Sequence, residues 1–220
     1  RQPEFTQIDL EMSFVDCDDI MDMAEGFISK LMKETIDVNI DAPLPRMTFA
    51  DAMNKYGSDK PDTRFDMLIE DISDWADKTD FVVFKSAIAD GGAVKAIVAK
   101  NAASTYTRKK IDKLTEFAKG IGAKGLAYVR WADEAPNCSF AKFLKDGELE
   151  ELLSTLGAEQ GDVVLIVSDK TRKALTIMGA LRLAVAKELD IIPQGKWNFL
   201  WITEMPFFEM DEETGEWVAA

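Results

Sequence analysis

The sequence predicts an α+β fold, and three patterns along the chain indicate it. Residues 5–14 alternate polar and apolar side chains with a period of two, which is typical of a strand. Residues 20–31 repeat apolar side chains at helical spacing. Residues 163–167 form a short apolar run of the kind found in buried strands. We therefore expect strands and helices in one chain, with a compact α+β unit in its middle.

The predicted first strand has an apolar face and a polar face. The apolar face carries Ile8, Leu10, Met12 and Phe14. The polar face carries Gln7, Asp9 and Glu11, which would stand about 6.6 Å apart in a row. Such a row could bind a positively charged group such as an ammonium. It could also be the wet face of an antiparallel sheet, and the alternation alone favours this second interpretation.

A helix follows the first strand. Asp16 or Asp18 is a candidate N-cap, and the apolar spacing continues to about Glu34. Val38 and Ile40 suggest a short extended piece after it.

The next predicted element is a short helix with signals at both ends. Thr48 followed by Asp51 resembles a capping box, and Gly57 ends the helix at Tyr56. The segment 56–64 then combines Gly, Pro and several charged residues. This composition favours a linker over a polar site, because loops concentrate such residues for backbone reasons.

Residues 71–190 have the size and the elements of a complete domain. The predicted strands are 81–84, 93–99, 126–131 and 163–167, and the predicted helices are 107–119, 148–156 and 170–189. The chain then predicts a strand at 197–205 and a turn at 211–215 before a returning strand at 216–218. Both ends thus lie in predicted strands, so we expect a fragment that is cut through a sheet.

Three further patterns have structural explanations. Gly120, Gly122 and Gly125 match GxGxxG, but they follow a helix and precede a strand, the reverse of the order in a dinucleotide site. The basic cluster 108–110 with Lys113 indicates a solvated helix face more than a nucleic-acid patch. Gly179, inside the last long helix, suggests a close packing contact.

Composition excludes several classes of site. The net charge of −14 argues against the chain alone binding a phosphate backbone. The absence of histidine excludes Ser–His and Cys–His nucleophile pairs and His-ligated metals. The two cysteines, Cys17 and Cys138, indicate neither a zinc site nor a disulfide framework, which fits a cytoplasmic protein. No apolar run is long enough to span a bilayer, and we expect no membrane partner.

Four segments in order resemble one family. RQPEFTQIDLEMSF resembles the second half of motif 2 of aspartyl-tRNA synthetases, a class II synthetase family. YGSDKPDTRF is similar to the segment leading into the insertion of bacterial-type members, and residues 71–190 resemble that insertion, the GAD domain. LWITEMPFFEMDEE resembles the strand that returns to the catalytic domain, with Glu204-Met205 where the family usually has Asp-Phe.

The resemblance implies a partial class II synthetase antiparallel sheet with an inserted four-stranded α+β GAD domain. Residues 1–70 and 191–220 would belong to the catalytic domain, and 71–190 would be the GAD domain. The implied reaction activates aspartate with ATP, assisted by Mg²⁺, and transfers it to the 3′ end of tRNA-Asp, or of tRNA-Asp and tRNA-Asn. The parent would be a homodimer. Gln2 matches an ATP-binding position, and Gln7 and Asp9 match the aminoacyl pocket.

The resemblance also implies what the chain lacks. Motif 1, the motif 2 arginine, the anticodon-binding domain and motif 3 would lie outside it. We therefore expect the fragment to be inactive alone and to bind neither ATP nor Mg²⁺. An alternative is a non-catalytic module that binds tRNA or a partner, because a GAD-like domain also occurs in one of the subunits of bacterial tRNA-dependent amidotransferases. That alternative does not explain the RQPEFTQID segment.

Overall fold

A computed structural model of the protein describes residues 3–211 and 214–219. The chain forms two compact units. The first comprises Arg1–Arg46 and Phe199–Trp201, and the second comprises Met47–Asn198 and Ile202–Ala220. The predicted α+β class is confirmed, since helices and antiparallel strands both occur.

Helix α1, Cys17–Ile36, is the main element of the first unit. Asp16 is its N-cap, and a capping box forms because Asp16 and Asp19 accept from each other's backbone N–H. Lys33 in the last turn forms an ion pair with Asp37, which caps the C-terminus in the left-handed region at φ 56°. The helix predicted from the Asp16 or Asp18 cap is therefore confirmed.

The prediction of a strand at residues 5–14 is wrong for this chain. The structure assigns no strand to residues 3–14, and both faces of the predicted alternation are exposed. The side chains of Ile8, Leu10 and Met12 are 71%, 60% and 46% exposed. The reason is physical: a strand takes its hydrogen bonds from a neighbour, and no described strand pairs with this segment.

The second unit is built on a five-stranded antiparallel sheet in the order β2-β3-β6-β4-β5. The strands are β2 Glu70–Asp71, β3 Ala93–Ala99, β4 Ala127–Arg130, β5 Asn137–Cys138 and β6 Val163–Asp169. Its centre is the seven-residue pairing of β3 with β6, from Ala93 opposite Asp169 to Ala99 opposite Val163. The predicted strands 93–99, 126–131 and 163–167 are confirmed within a residue or two at their ends.

Helices cover both faces of this sheet. The helices of the second unit are α2 Phe49–Tyr56, α3 Ser73–Ala76, α4 Val82–Ala89, α5 Arg108–Gly120, α6 Glu148–Thr155 and α7 Thr171–Glu188, with a 3-10 turn at Ala141–Phe143. Odd-numbered residues of β3 and β6, such as Ile97 and Leu165, pack with α5 and α7. Even-numbered ones, such as Ala96 and Ile166, pack with α3, α4 and α6. The sheet is thus buried on both faces, which explains its nearly continuous apolar strands.

The prediction of a strand at residues 81–84 is wrong, because this run starts helix α4. A short apolar run fits both the period of a strand and the period of a helix, and here it forms a helix. Phe84 is buried and packs edge-on against Phe81 and Phe140, whereas Val82 and Val83 are 67% and 51% exposed. The sheet has five strands and not the predicted four, because β2 and β5 also belong to it. Each of these two strands has only two residues, too few for the sequence to predict.

Two small pairs of strands complete the described part. Strand β1, Arg46–Thr48, pairs with β7, Trp201–Thr203. Strand β8, Phe208–Met210, pairs antiparallel with β9, Trp217–Ala219, which confirms the predicted returning strand. The predicted turn at 211–215 includes residues 212–213, which lie outside the described residues. None of the described helices is long and apolar enough to cross a membrane.

Candidate functional site

The residues predicted to line the aminoacyl pocket lie in an exposed segment that has no helix or strand. Gln7 and Asp9 are exposed, as is Glu11 on the same side of the sequence pattern. Neither Gln7 nor Asp9 has a hydrogen bond or ion pair with the residues that the structure describes. The predicted ATP residue, Gln2, lies outside the described residues. The carboxylate of Asp9 could accept from an ammonium, but no contact in the described part holds it in one direction.

The polar segment 57–64 contains an ion pair whose two partners are close in sequence. Arg64 donates from Nε and Nη2 to the two oxygens of Asp62, at 2.9 and 2.7 Å. The bidentate bond with Arg64 lowers the pKa of Asp62 and raises the pKa of Arg64. The charges of Asp62 and Arg64 therefore compensate each other, and their bidentate bond stabilises the conformation of the loop.

Arg182 of α7 holds the chain that follows this segment. Its side chain is 1% exposed and donates from Nε to the Met67 carbonyl at 2.7 Å and from Nη2 to the Phe65 carbonyl at 2.9 Å. Its guanidinium also lies 3.9 Å from the centre of the Phe65 ring and 4.9 Å from that of Tyr56. Burial lowers the pKa of Arg182, although a guanidinium stays protonated at neutral pH. We call these contacts the Arg182 anchor.

Sequence reasoning missed the Arg182 anchor, although a signal was present. The apolar positions of α7 that pack on the sheet include Ala174, Met178 and Val185. Arg182 stands four residues after Met178 and three before Val185, so it falls on the same buried stripe. A charged residue on such a stripe is rarely buried without partners, which predicts carbonyl or carboxylate acceptors nearby.

Beside the anchor, α2 and α7 meet at two glycines. A Cβ added to Gly179 would lie 2.6 Å from the Tyr56 carbonyl oxygen and 2.9 Å from that of Gly57. A Cβ added to Gly57, which has a φ of +67°, would lie 2.2 Å from the Leu175 carbonyl oxygen. All three distances are too short for real contacts, so only glycine fits at either position. The predicted packing contact at Gly179 is confirmed.

Two of the cavities that open on the second unit differ in chemistry. The first, of about 470 Å³, is mainly apolar and lies over the aromatic cluster of Phe81, Phe84 and Phe140. The second, of about 280 Å³, lies over the other face of β4. Arg108, Ile111, Tyr128, Arg130 and Asn137 line this second cavity, which we call the donor pocket.

The described residues do not fit a metal site. Mg²⁺ needs several oxygen ligands, and no group of three or more acidic, cysteine or histidine side chains is close enough to hold an ion in the part of the chain that the structure describes. Both cysteines are free thiols, and burial raises the pKa of Cys138 to about 11.

Comparison with known proteins covers the whole chain. Residues 84–178 match the family model of the GAD domain. Across all 220 residues, the chain is 51% identical to the aspartate–tRNA ligase of Staphylococcus saprophyticus and 50% identical to that of Macrococcus caseolyticus. The whole chain is homologous to part of the bacterial aspartate–tRNA ligases. It spans 37% of the length of these relatives.

The ligase relatives also bear on the alternative of a GAD-type module from an amidotransferase. They match the residues on both sides of 84–178 as well as the GAD domain itself, which favours the ligase. A relative of equal similarity, from Bacillus mycoides, is named aspartate–tRNA(Asp/Asn) ligase and is 50% identical over the whole chain. Ligases named for tRNA-Asp and ligases named for both tRNAs thus have nearly the same identity to this chain.

Proposed function

We propose that this chain is a segment of a bacterial aspartate–tRNA ligase, which activates aspartate with ATP and transfers it to the 3′ end of tRNA. The observation that carries the proposal is the 51% identity to such a ligase over the full 220 residues. The tRNA would be tRNA-Asp, or both tRNA-Asp and tRNA-Asn, and the intact protein would be a homodimer. Residues 71–190 would be its inserted GAD domain, and residues 1–70 and 191–220 would belong to its catalytic domain.

Within the intact ligase, Gln7 and Asp9 would form one wall of the aminoacyl pocket, and Gln2 would contact ATP. Ile8 and Leu10, which alternate with Gln7 and Asp9, are 71% and 60% exposed in this chain. This exposure supports the role, because apolar side chains gain stability when another part of the ligase covers them. With water excluded by that cover, Asp9 would accept from the ammonium of aspartate. A carboxylate suits this task because a desolvated ammonium needs a charged acceptor.

The same exposure supports the proposal that this chain alone is inactive. Phosphoryl chemistry depends on cations placed around the triphosphate. Gln7 and Asp9 are exposed, and no lysine or arginine among the described residues forms an ion pair with Asp9. ATP and Mg²⁺ would therefore bind to the intact ligase and not to this chain.

Aspartate-dependent exchange of pyrophosphate into ATP tests the proposal directly. We expect exchange from the intact ligase and none from residues 1–220 alone at equal concentration. Exchange by the isolated chain would contradict the expected inactivity, and its absence from the intact ligase would contradict the proposed function.

Asp9→Asn in the intact ligase tests the pocket. It removes the charge that would face the ammonium and keeps the size of the side chain, so kcat/KM for aspartate should fall about 10- to 100-fold. Glu11→Gln is the matched control, because it makes the same change two residues along the same polar row. Equal exchange by the two variants would exclude a specific role for Asp9, and thermal unfolding would check that both remain folded.

A further inference from the structure

The donor pocket has a composition that differs from the rest of the molecule. Arg108, Tyr128, Arg130 and Asn137 each bring at least one hydrogen-bond donor to it, and Ile111 is its apolar lining residue. Its lining contains no carboxylate, although the whole chain carries a net charge of −14. Two guanidinium groups at one cavity therefore form a local region of positive charge.

Regular elements hold the donors of β4 and β5 in place. Tyr128 and Arg130 are two residues apart in β4, so they point to the same face of the sheet. Asn137 of β5 stands directly opposite Arg130 in the strand register. Arg130 Nε donates to the Ala103 carbonyl at 2.9 Å, which fixes one edge of the guanidinium and leaves its two terminal amino groups for another acceptor.

Arg108 completes the pocket from the first turn of α5. The neighbouring Lys110 is held by Glu188 at 2.9 Å, whereas Arg108 has no acceptor among the described residues. The side chain of the N-cap, Thr107, makes no capping bond. The first turn of a helix also carries partial positive charge, which adds to that of Arg108. An anion at this position would be attracted both by the charge of Arg108 and by the partial positive charge of the helix terminus.

The geometry points to a phosphate group as the ligand of this pocket. We propose that the donor pocket binds the phosphate of a small metabolite or of an RNA strand, with Arg108 and Arg130 as its charged donors. Guanidinium groups bind phosphate oxygens through paired N–H bonds, and the Tyr128 hydroxyl and Asn137 amide can donate to the remaining oxygens. A volume of about 280 Å³ admits a phosphate with the sugar or short group attached to it. The proposal does not depend on the ligase function.

Inorganic phosphate is the first probe. We expect a titration of the ¹⁵N-labelled chain, against chloride at matched ionic strength, to give saturable shifts at the amides of residues 108–111 and 128–130, with a roughly millimolar Kd. Arg108→Gln and Arg130→Gln should each weaken binding about tenfold or more. Lys109→Gln removes the same charge from an exposed neighbour that does not line the pocket, and it should change the Kd less than twofold.

The second probe separates the two sources of phosphate. If a 12-nucleotide RNA binds the same amides, loses affinity in both Arg variants and is displaced by phosphate, the ligand is an RNA phosphate. If phosphate binds and the RNA does not, the ligand is a small phosphate compound. Arg108 is exposed at the start of its helix, so Arg108→Gln tests the site even if Arg130→Gln unfolds. Linear, unsaturated shifts with phosphate, or equal losses in the Lys109 variant, would overturn the proposal.

Discussion

Gly179 and Gly57 show how one missing side chain fixes the packing of two helices. Each glycine leaves room for the backbone of the other helix, at distances that no Cβ could tolerate. The Arg182 anchor follows three residues along α7 and binds the two carbonyls of Phe65 and Met67 that the loop leaves inside the protein. The close approach of the α2 and α7 backbones and the buried hydrogen bonds of Arg182 therefore occur at the same place. The first depends on Gly57 and Gly179, and the second on Arg182.

Replacing Gly179 by alanine should destabilise the second unit by about 1–3 kcal/mol, because the added methyl group must displace the backbone of Tyr56 and Gly57. Gly120→Ala is the matched control in the same unit. Gly120 also lies in a helix, and an added Cβ would meet nothing within 4 Å. Chemical unfolding measures both free energies, and we expect the control to be neutral or slightly stabilising. Equal values for the two variants would show that the close contact carries no energy.

Single residues also mark where sequence reasoning succeeded. Asp16, Thr48 and Gly57 predict helix ends, and the structure confirms each, because caps act through bonds within a few residues. The glycines 120, 122 and 125 fall where α5 ends and the chain turns towards β4, as their order predicts. The apolar stripe of α7 indicates that Arg182 is buried, but its acceptors and the donor pocket could not be predicted, because the residues that form them lie far apart in sequence.

At the scale of whole elements, the errors have two causes. The run 81–84 is too short to separate the period of a strand from that of a helix, and only tertiary packing on Phe140 decides it. The alternation at 5–14 is genuine, but a strand also needs a neighbour, which the pattern cannot supply. Helices were predicted better than strands because their hydrogen bonds are internal.

Strand β2 illustrates how a two-residue element is stabilised. Asp71 lies directly opposite Lys95 of β3, and Lys95 Nζ donates to its carboxylate at 2.7 Å. The Ser73 hydroxyl and N–H donate to the same carboxylate, and the hydroxyl in turn accepts from the N–H of Val94. Partial burial opposes ionisation of Asp71, but the bonds from Lys95 and Ser73 outweigh it and hold its pKa below the ordinary value.

This lowered pKa gives a prediction for acid conditions. A carboxyl group whose pKa is lower in the folded state stabilises the protein above its unfolded pKa of about 3.9, and this stabilisation is lost as pH falls through the folded pKa. Asp71→Asn should therefore lower the free energy of unfolding at pH 7 and reduce its fall below about pH 4. Unfolding in urea between pH 7 and pH 2 measures both effects.

Asp74→Asn is the control for the acid prediction. Asp74 is an exposed carboxylate three residues further on, with no ion pair in the part of the chain described by the structure. Its substitution should leave the pH dependence of unfolding unchanged. If the Asp71 and Asp74 variants have the same pH profile, the pair with Lys95 contributes nothing to stability.

At the scale of the whole molecule, regular secondary structure and buried side chains are unevenly distributed along the chain. Strands β3 and β6 form a continuous ladder that is covered by helices on both faces, and nearly all of their residues are buried. Residues 3–14 have no strand or helix, and their large apolar side chains are exposed. In the proposed ligase, these exposed apolar side chains would be covered by the part of the protein that this chain does not span.

Hydrogen exchange should reveal this uneven distribution. We expect the amides of β3 and β6 to exchange only through unfolding of their unit, with opening free energies of about 5 kcal/mol or more. The amides of residues 5–12 should exchange at the rate of an unstructured peptide. Exchange followed by mass spectrometry or NMR measures both. Protection of residues 5–12 above about tenfold would contradict the finding that this segment forms no strand in this chain.

Helix α7 connects the residues that match the GAD domain with the loop that precedes them in the chain. The family match ends at residue 178, inside this helix, and the glycine contact at 179 and the Arg182 anchor come directly after it. A boundary drawn from sequence families at that point therefore crosses a continuous helix of about 27 Å. A helix without a break offers no hinge, so we expect the central sheet and the loop at residues 56–67 to move as one rigid body. In the proposed ligase, any flexible joint of residues 71–190 would then lie elsewhere along the chain.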